Sequence, residues 1–514
     1  MALNRELSDL FHSLSSLMEL RGENVFKVIA FQKVSRILRE LNVDLKKCIE
    51  EGKLCEIEGI GKGSQQIIEE FVETGKSSVF EEIAASVPKG LVPLMSIEGL
   101  GPKTINLLWK ERGITSLDEL IKAIDNESLK TLKGIGPKKI DTIKKGIETY
   151  KANLETGGDG APRRVGILPA MREAIPLLER VRTIPGIVGA EIAGSLRRKR
   201  ETIADVDIVA AVEDPSDGMK ISEMFTQLPG VIQTVVTGPS KTSVKIANGM
   251  QVDLRLVPAE NFGAALLYFT GSKEHNVKIR GLAQKKGMTL NEWGLYKLDQ
   301  YEKAAKEIAK APPIKPVASK TEEDVYEALG LIYIEPELRE GFNEVDLARE
   351  KKLPVLIEQT DIRGDLHAHT TESDGTASIE EMAAAAKEMG YEVLAITDHS
   401  KALAMTNGLS VERLLKHIEN IHRVSDKLKG ITLLAGSEVD ILADGRMDYD
   451  DDVLKELDIV IASPHMSLKQ DSKKATDRML RAIDNPYVNV IGHPTGRLIN
   501  SREGLPLEMD KVIE

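Results

Sequence analysis
Three acids on two short apolar segments carry the most specific chemistry in this sequence. Asp205 and Asp207 lie in Ala204-Asp205-Val206-Asp207-Ile208-Val209, whose β-branched apolar residues read as a strand. Residues two apart on a strand share a face, so both carboxylates point the same way. Like charges held that close repel unless a cation sits between them. A second strand, Gln251 to Val257, offers a third carboxylate, Asp253. Acids on neighbouring strands can hold two Mg²⁺ or Mn²⁺ ions roughly 4 Å apart, an arrangement suited to in-line phosphoryl transfer. Upstream, Gly194-Ser195 lets backbone approach a phosphate and Arg198 supplies charge for it. An Asp-x-Asp pair alone is more often a solvated sheet edge. The Gly-Ser-x-x-Arg spacing before it turns the balance toward a nucleotide site.

A second concentration of reactive side chains lies near the C-terminus. Seven of the nine histidines fall within residues 361–514, and five of them end apolar strands: His367, His369, His399, His465 and His493. One strand-end histidine is usually a hydrogen-bonded structural residue. Five, with Asp374 and Glu438, are better explained as metal ligands. His417 and His422 sit on an expected helix near 411–427 and read as packing or surface residues.

A third pattern is an internal repeat, apolar-x-Gly-apolar-Gly, that occurs three times: Gly59 and Gly61 before Lys62, Gly99 and Gly101 before Pro102-Lys103, Gly134 and Gly136 before Lys138-Lys139. Each copy leads into an apolar-periodic helix. Glycines let such a turn approach a DNA phosphate, which then faces the N–H groups of the next helix. One copy would be no more than a tight helix–helix turn; three argue against that reading.

Elements that position these groups can be read in outline. Leu7, Leu10, Phe11, Leu14 and Leu17 recur at helical spacing, as do Val25, Ile29, Val34, Ile37 and Leu38. Residues 151–163 carry glycines without apolar period and read as a linker. A helix near 169–183 precedes the acid-bearing strands. From 364 onward, apolar strands alternate with helices, which implies a parallel sheet or (β/α) barrel with its site at the strand C-termini. Trp293 and Tyr296 read as core.

The chain has 514 residues and a net charge of −12. Residues 361–514 hold 18 Lys+Arg against 28 Asp+Glu, so most of the acidity lies there and basic patches remain open to the rest. Cys48 and Cys55 have no nearby histidine and read as free thiols. No signal peptide or spanning apolar run is found, which leads us to expect a cytoplasmic protein without membrane contact. An aromatic content of 4% argues against base stacking as the main grip on DNA.

The phosphate loop and acid strands resemble the nucleotidyltransferase signature of family X DNA polymerases, the polymerase beta-like group. Leu266 to Ser272, with Asn276 and Arg280, is similar to that family's nucleotide-binding segment. The resemblance implies that Asp205, Asp207 and Asp253 are catalytic. Arg164, Gly194, Ser195 and Arg198 would contact the triphosphate. Tyr268, Phe269, Thr270, Gly271 and Ser272 would lie against the sugar, and Asn276 and Arg280 would check the nascent pair. The glycine repeats resemble helix-hairpin-helix motifs, giving Gly59, Gly61, Lys62, Gly99, Gly101, Lys103, Gly134, Gly136 and Lys138 as DNA contacts. The family's deoxyribose-phosphate lyase lysine aligns with Ile67, which argues against that activity; Lys27 and Lys33 are the expected grip on a 5′ phosphate.

The C-terminal module resembles the polymerase and histidinol phosphatase (PHP) family, which implies two or three Mn²⁺, Zn²⁺ or Fe ions held by His367, His369, Asp374, His399, Glu438, His465 and His493, and phosphoester hydrolysis. The family barrel has two further strands and a closing Asp-x-His pair. Neither is found after His493, so the barrel is expected to be truncated, or open and incompletely metallated.

The resulting expectation is a multidomain α+β and α/β chain: a helical lyase-like domain over 1–85, a DNA-binding subdomain with two hairpins over 86–155, a mixed-sheet palm over 164–260, a nucleotide-side α+β subdomain over 261–336, a linker over 337–360, and the PHP module over 361–514. Its partners would be gapped or primer–template DNA and dNTPs, and it would act as a monomer. The competing reading is a DNA-end-binding scaffold with vestigial catalysis.

Overall fold
The structure, a computed structural model of the chain, describes residues 2–40, 45–50, 52–54, 57, 59–97, 99–132, 134–155, 164–305 and 314–514. It forms two compact units, one extending through Arg349 and the other covering Glu350–Glu514.

The first unit begins with helices. Leu7, Phe11, Leu14 and Leu17 line one side of the helix Ala2–Arg21 and are buried with Val34 and Leu38 of the helix Val25–Glu40. Val25 and Ile29 depart from the sequence reading: each is 53% exposed, beside an exposed Phe26, so the buried face of that helix runs through Val28, Val34 and Leu38 instead. The helix Pro137–Glu155 runs five residues into the stretch expected as linker; residues 156–163 lie outside the described part.

Five strands make the palm sheet: β1 (Ile187–Ile192), β2 (Asp205–Val212), β3 (Val231–Val236), β4 (Lys241–Ile246) and β5 (Gln251–Pro258), in the order β1-β2-β5-β4-β3. β2 and β5 are parallel, and all other pairs are antiparallel. One face of the central pair, with Val206, Ile208, Val252 and Leu254, is sealed by the helix Ile167–Arg182 through Ala170, Ala174, Leu177 and Val181. On the other face Val209 and Val257 are covered by Ala265 and Leu266 of the helix Phe262–Thr270. That cover leaves Asp205, Asp207 and Asp253 at the open end of the same face.

Past the palm, the helices Lys273–Lys285 and Glu322–Ala328 pack around buried Tyr296 and Tyr326, while Trp293 is only half-buried. The stretch 337–360 is not a linker throughout. Arg339 is fully buried and donates to Glu322 Oε1 at 2.5 Å, and Glu344, which begins the helix Glu344–Glu350, lies 2.7 Å from His275 Nδ1. Only the second half stays open, with Val355 and Ile357 almost wholly in solvent. A charged pair is not visible to an apolar-period reading, which is why this half-structured stretch passed as connector.

The second unit is a five-stranded parallel sheet in chain order: β6 (Gly364–Ala368), β7 (Val393–Ile396), β8 (Thr432–Asp440), β9 (Ile459–Ser463) and β10 (Val490–Ile491). A capping box between Ser378 and Glu381 starts the helix Ile379–Glu388. The described chain ends in the short helix Met509–Ile513.

Glu322 lies between two arginines in the dry interior, taking both Nη atoms of Arg197 at 2.9 and 2.7 Å as well as Arg339. Removing one partner of a buried ion cluster leaves charge uncompensated, at a cost of about 3–5 kcal/mol. Glu322→Ala should therefore lower the unfolding midpoint of the first unit markedly in a urea titration, while Glu323→Ala, on the exposed side of the same helix, should leave it unchanged.

Candidate active sites
The register of β2 on β5 sets Asp207 opposite Asp253 and Asp205 opposite Gln251, so the three acids share one face. Their proximity shows in their chemistry. Burial pushes the Asp207 carboxyl up to about 6, and the charges of Asp205 and Asp253 add to it. Asp205, at the exposed rim, is raised by lost hydration and by Asp253, against the pull of Arg164. Asp253 is 6% exposed and takes Lys241 Nζ at 2.6 Å and Gln251 Nε2 at 2.9 Å. Carboxylates that raise one another's affinity for protons fit a site for divalent cations, whose binding reverses the repulsion.

The phosphate loop is tied to this strand. Ala193 N–H donates to Asp207 O, and Gly194 starts the single turn Gly194–Arg197 at φ 62°. A Cβ on Gly194 would stand 2.5 Å from Asp207 Oδ2, so only glycine allows the loop this close to the acid. Ser195 is half-buried on the same turn. Arg198 donates from Nε to Glu340 Oε1 at 2.8 Å and from Nη1 to Thr270 O at 2.5 Å. Arg164, expected at the triphosphate, braces Thr202 through Nε and Nη2, and its charge acts on Asp205.

Tyr268 and Phe269 stand edge to face with centroids 5.1 Å apart in the last turn of their helix. Thr270 is buried, Gly271 and Ser272 are joined by a cis peptide bond, and Ser272 Oγ caps the next helix by accepting from His275 N–H. From that helix Asn276 Nδ2 donates to Tyr268 O at 2.7 Å, while Arg280 is exposed one turn on. Thus the acids, the phosphate loop, residues 268–272 and Asn276 form one continuous site. Arg255, which sequence reading passed over, also belongs to it: its guanidinium lies 4.6 Å from the Phe269 ring and draws Asp207 down.

Each hairpin repeat folds alike. Gly59, Gly99 and Gly134 adopt φ of 99°, 88° and 96°, and Gly61, Gly101 and Gly136 accept the first N–H bonds of the helices that follow. Lys62 and Lys103 are exposed at those helix starts, and Lys33 reaches the first hairpin at Gly59. Lys27 lies exposed one helical turn from Glu23. Lys139 instead joins the second and third hairpins through Thr104 Oγ1 at 2.8 Å. The side chain of Lys138 lies outside the described residues. Ile67 is buried at 4% exposure, in the core of its helix.

In the second unit all seven expected ligands converge. Glu438 is 1% exposed; its Oε2 lies 3.2, 3.5 and 3.0 Å from nitrogens of His367, His369 and His399, and its Oε1 lies 3.3 and 2.9 Å from those of His465 and His493. Asp374 stands 3.7 Å from His369 and 3.6 Å from His399. Burial alone would raise Glu438, but the imidazoles around it hold it far below the usual carboxylate range. Three overlapping triads bring ligand atoms within 4.8 Å of one another: His367-His369-Glu438, His369-Asp374-His399 and His399-Glu438-His465. Yet His369 Nδ1, His399 Nδ1 and Glu438 Oε1 are buried without a properly aligned hydrogen bond. Donor atoms that converge without pairing fit a set gathered for cations rather than protons.

Two acids support this cluster and were missed by sequence reading. Asp398 accepts from Thr370 N–H and Oγ1, Ser373 Oγ and His417 Nε2, which fixes the loop carrying His369 and Asp374; despite burial these bonds hold it at about 2. Asp440 lies 3.2 Å from His465 Nδ1, so the ring presents Nε2 to Glu438; against burial, Asp440 and Glu438 lift His465 to about 9. His417 is accordingly a buried positioning partner, and His422 an exposed one to Asp458. The period-two spacing from Glu438 to Asp440 was the available signal, but strand alternation alone does not separate ligand from support.

Family profiles match along much of the chain: a helix-hairpin-helix domain over residues 2–77, a SAM-like helix-hairpin-helix tandem over 91–149, a DNA polymerase beta thumb over 265–340 and a PHP domain over 365–500. The DNA polymerase/3'-5' exonuclease PolX of Bacillus subtilis is 38% identical over 512 residues, 99% of this chain and 85% of the relative. The chain belongs to the PolX group of family X DNA polymerases. A rat DNA polymerase lambda is 25% identical over 66% of this chain and 56% of its own length. A probable phosphatase of Caldanaerobacter subterraneus is 34% identical over 155 residues, 29% of this chain and 56% of the relative. Among the described residues no helix is long and apolar enough to cross a membrane.

The raised Asp207 makes a stability prediction for this PolX-group chain freed of metal. An acid whose folded pKa exceeds its unfolded one destabilises the fold once pH rises above the unfolded value, and the deficit is complete above the folded value. In chelator at pH 7, Asp207→Asn should thus stabilise the first unit by on the order of 2 kcal/mol. The gain should shrink between pH 6 and pH 4, as read by thermal melting across that range.

Proposed function
We propose that the first unit is a DNA-directed DNA polymerase that extends a primer 3′-OH across short gaps, as in base-excision-type repair. The observation that carries this is the set of three acids on one face beside a phosphate loop and the Thr270-Gly271-Ser272 turn. The primer 3′ oxygen forms a bond to the α-phosphorus of a dNTP while the bond to pyrophosphate breaks. Asp205, Asp207 and Asp253 would hold divalent cations, which would supply charge neutralisation for this transfer. Ser195, Arg198 and the N–H groups of the Gly194 turn grip the departing phosphates, with Arg164 contributing charge from the rim. Tyr268 to Ser272 form the wall against the sugar, and Asn276 and Arg280 face the base pair. The hairpins hold backbone phosphates without reading sequence, and Lys27 and Lys33 take the 5′ phosphate across the gap. We assign the protein to the cytoplasm as a monomer. A scaffold without catalysis is not favoured, because it leaves the mutual repulsion of the acids without a purpose.

The second unit we assign as a 3′→5′ exonuclease or related 3′-end phosphoesterase. Its two or three Mn²⁺, Zn²⁺ or Fe ions, when bound, would supply an activated water and charge neutralisation. Glu438 bridges the ligand set, Asp374 closes one side, and Asp440 and Asp398 fix the orientation of His465 and of the His369 loop.

Asp205→Ala should abolish primer extension on gapped DNA while leaving gap binding within about twofold in a mobility-shift titration; undiminished synthesis would sink the assignment. Glu438→Ala should cut bound Mn and Zn at least tenfold by elemental analysis and remove 3′-end cleavage, with primer extension retained.

A further inference from the structure
Residues 339–344 fall just past the stretch with which the nucleotide-side subdomain was expected to end, yet they reach the phosphate loop. Arg339 is anchored on Glu322 and its carbonyl accepts from Ser272 N–H. Gly341 N–H donates to Glu344 Oε1, which in turn lies against His275 Nδ1 at 2.7 Å. Lys278 donates to Phe342 O. The segment is therefore fixed along the N-terminal turns of the helix that carries Asn276 and Arg280. Between these anchors Glu340 turns to the palm, with its side chain 17% exposed. Its Oε1 takes Arg198 Nε at 2.8 Å, and Arg200 Nη1 stands 3.8 Å away.

The geometry at Arg198 decides what this contact does. Glu340 occupies Nε and Thr270 O occupies Nη1, so two of the five guanidinium N–H groups are held by protein, and among the described residues no group pairs with the Nη2 edge. A planar guanidinium pinned at two points presents its third side in a set direction. A carboxylate that competed with triphosphate would instead be expected at the Nη1–Nη2 edge that grips phosphates.

We propose that Glu340 is a positioning residue for nucleotide binding, orienting Arg198 from behind so that its Nη2 edge meets the triphosphate and coupling that arginine to the helix that checks the base pair. This rests on the reading of Arg198 as a triphosphate contact, and deepens it.

Single-nucleotide insertion on gapped DNA with saturating Mg²⁺ tests it. Glu340→Ala should raise the KM for dNTP about tenfold with kcat changed less than threefold, Glu340→Gln should raise it about threefold, and the inhibition constant of pyrophosphate should rise in step. In an Arg198→Ala background neither change should have further effect. A KM at or below the wild-type value in both Glu340 variants, with Arg198→Ala raising it, overturns the proposal and leaves the triphosphate reading standing. An unchanged KM in Arg198→Ala overturns that reading instead. Should Glu340→Ala fail to fold, the isosteric Glu340→Gln decides by the same criterion.

Discussion
The parallel register of β2 on β5 is the constraint on which the polymerising site rests. It places Asp207 level with Asp253 and brings Asp205 to the same face. A slip of one residue would turn one strand's acids into the core now filled by Val206, Ile208, Val252 and Leu254. That apolar core, sealed by the helix Ile167–Arg182, is what forbids the slip. The repulsion gathered at the acids is thus sustained by burial on the opposite side of the same two strands.

The second unit reaches a similar end by different means. Its five parallel strands deliver the five converging histidines and Glu438 at or just beyond strand C-termini, with Asp374 on the loop after β6, and Glu438 in β8 faces imidazoles from the neighbouring segments on both sides. Parallel strands align their ends, so residues far apart in sequence arrive together without long reaching loops. The supports differ in kind from the ligands. Asp398 is a hub of hydrogen bonds that rigidifies a loop, whereas Asp440 selects which nitrogen of one ring faces the cluster.

Much of this was legible in the residues themselves. The acid strands, the Gly194 turn, the three glycine hairpins and the seven converging histidines and acids of the second unit each carry a short-range pattern of type and spacing, and such patterns survive reading without a structure. The five strands of the second unit were legible for the same reason: each is an apolar run closed by a distinctive residue. What escaped was long-range and polar. Glu322 with Arg197 and Arg339, Asp398 with His417, and Arg198 with Glu340 join residues far apart in the chain, and charged side chains give no periodic signal of their partners. Val25 and Ile29 failed in the other sense, since an apolar residue on a helix need not face the core.

The burial of Ile67 bears on what kind of DNA break this chain can complete. An aliphatic side chain closed inside a helix offers no amine, so no imine with a sugar aldehyde can form at that position. A nick that still carries a baseless sugar on its downstream end would need that remnant cleared by an amine at another position before the two ends could be sealed.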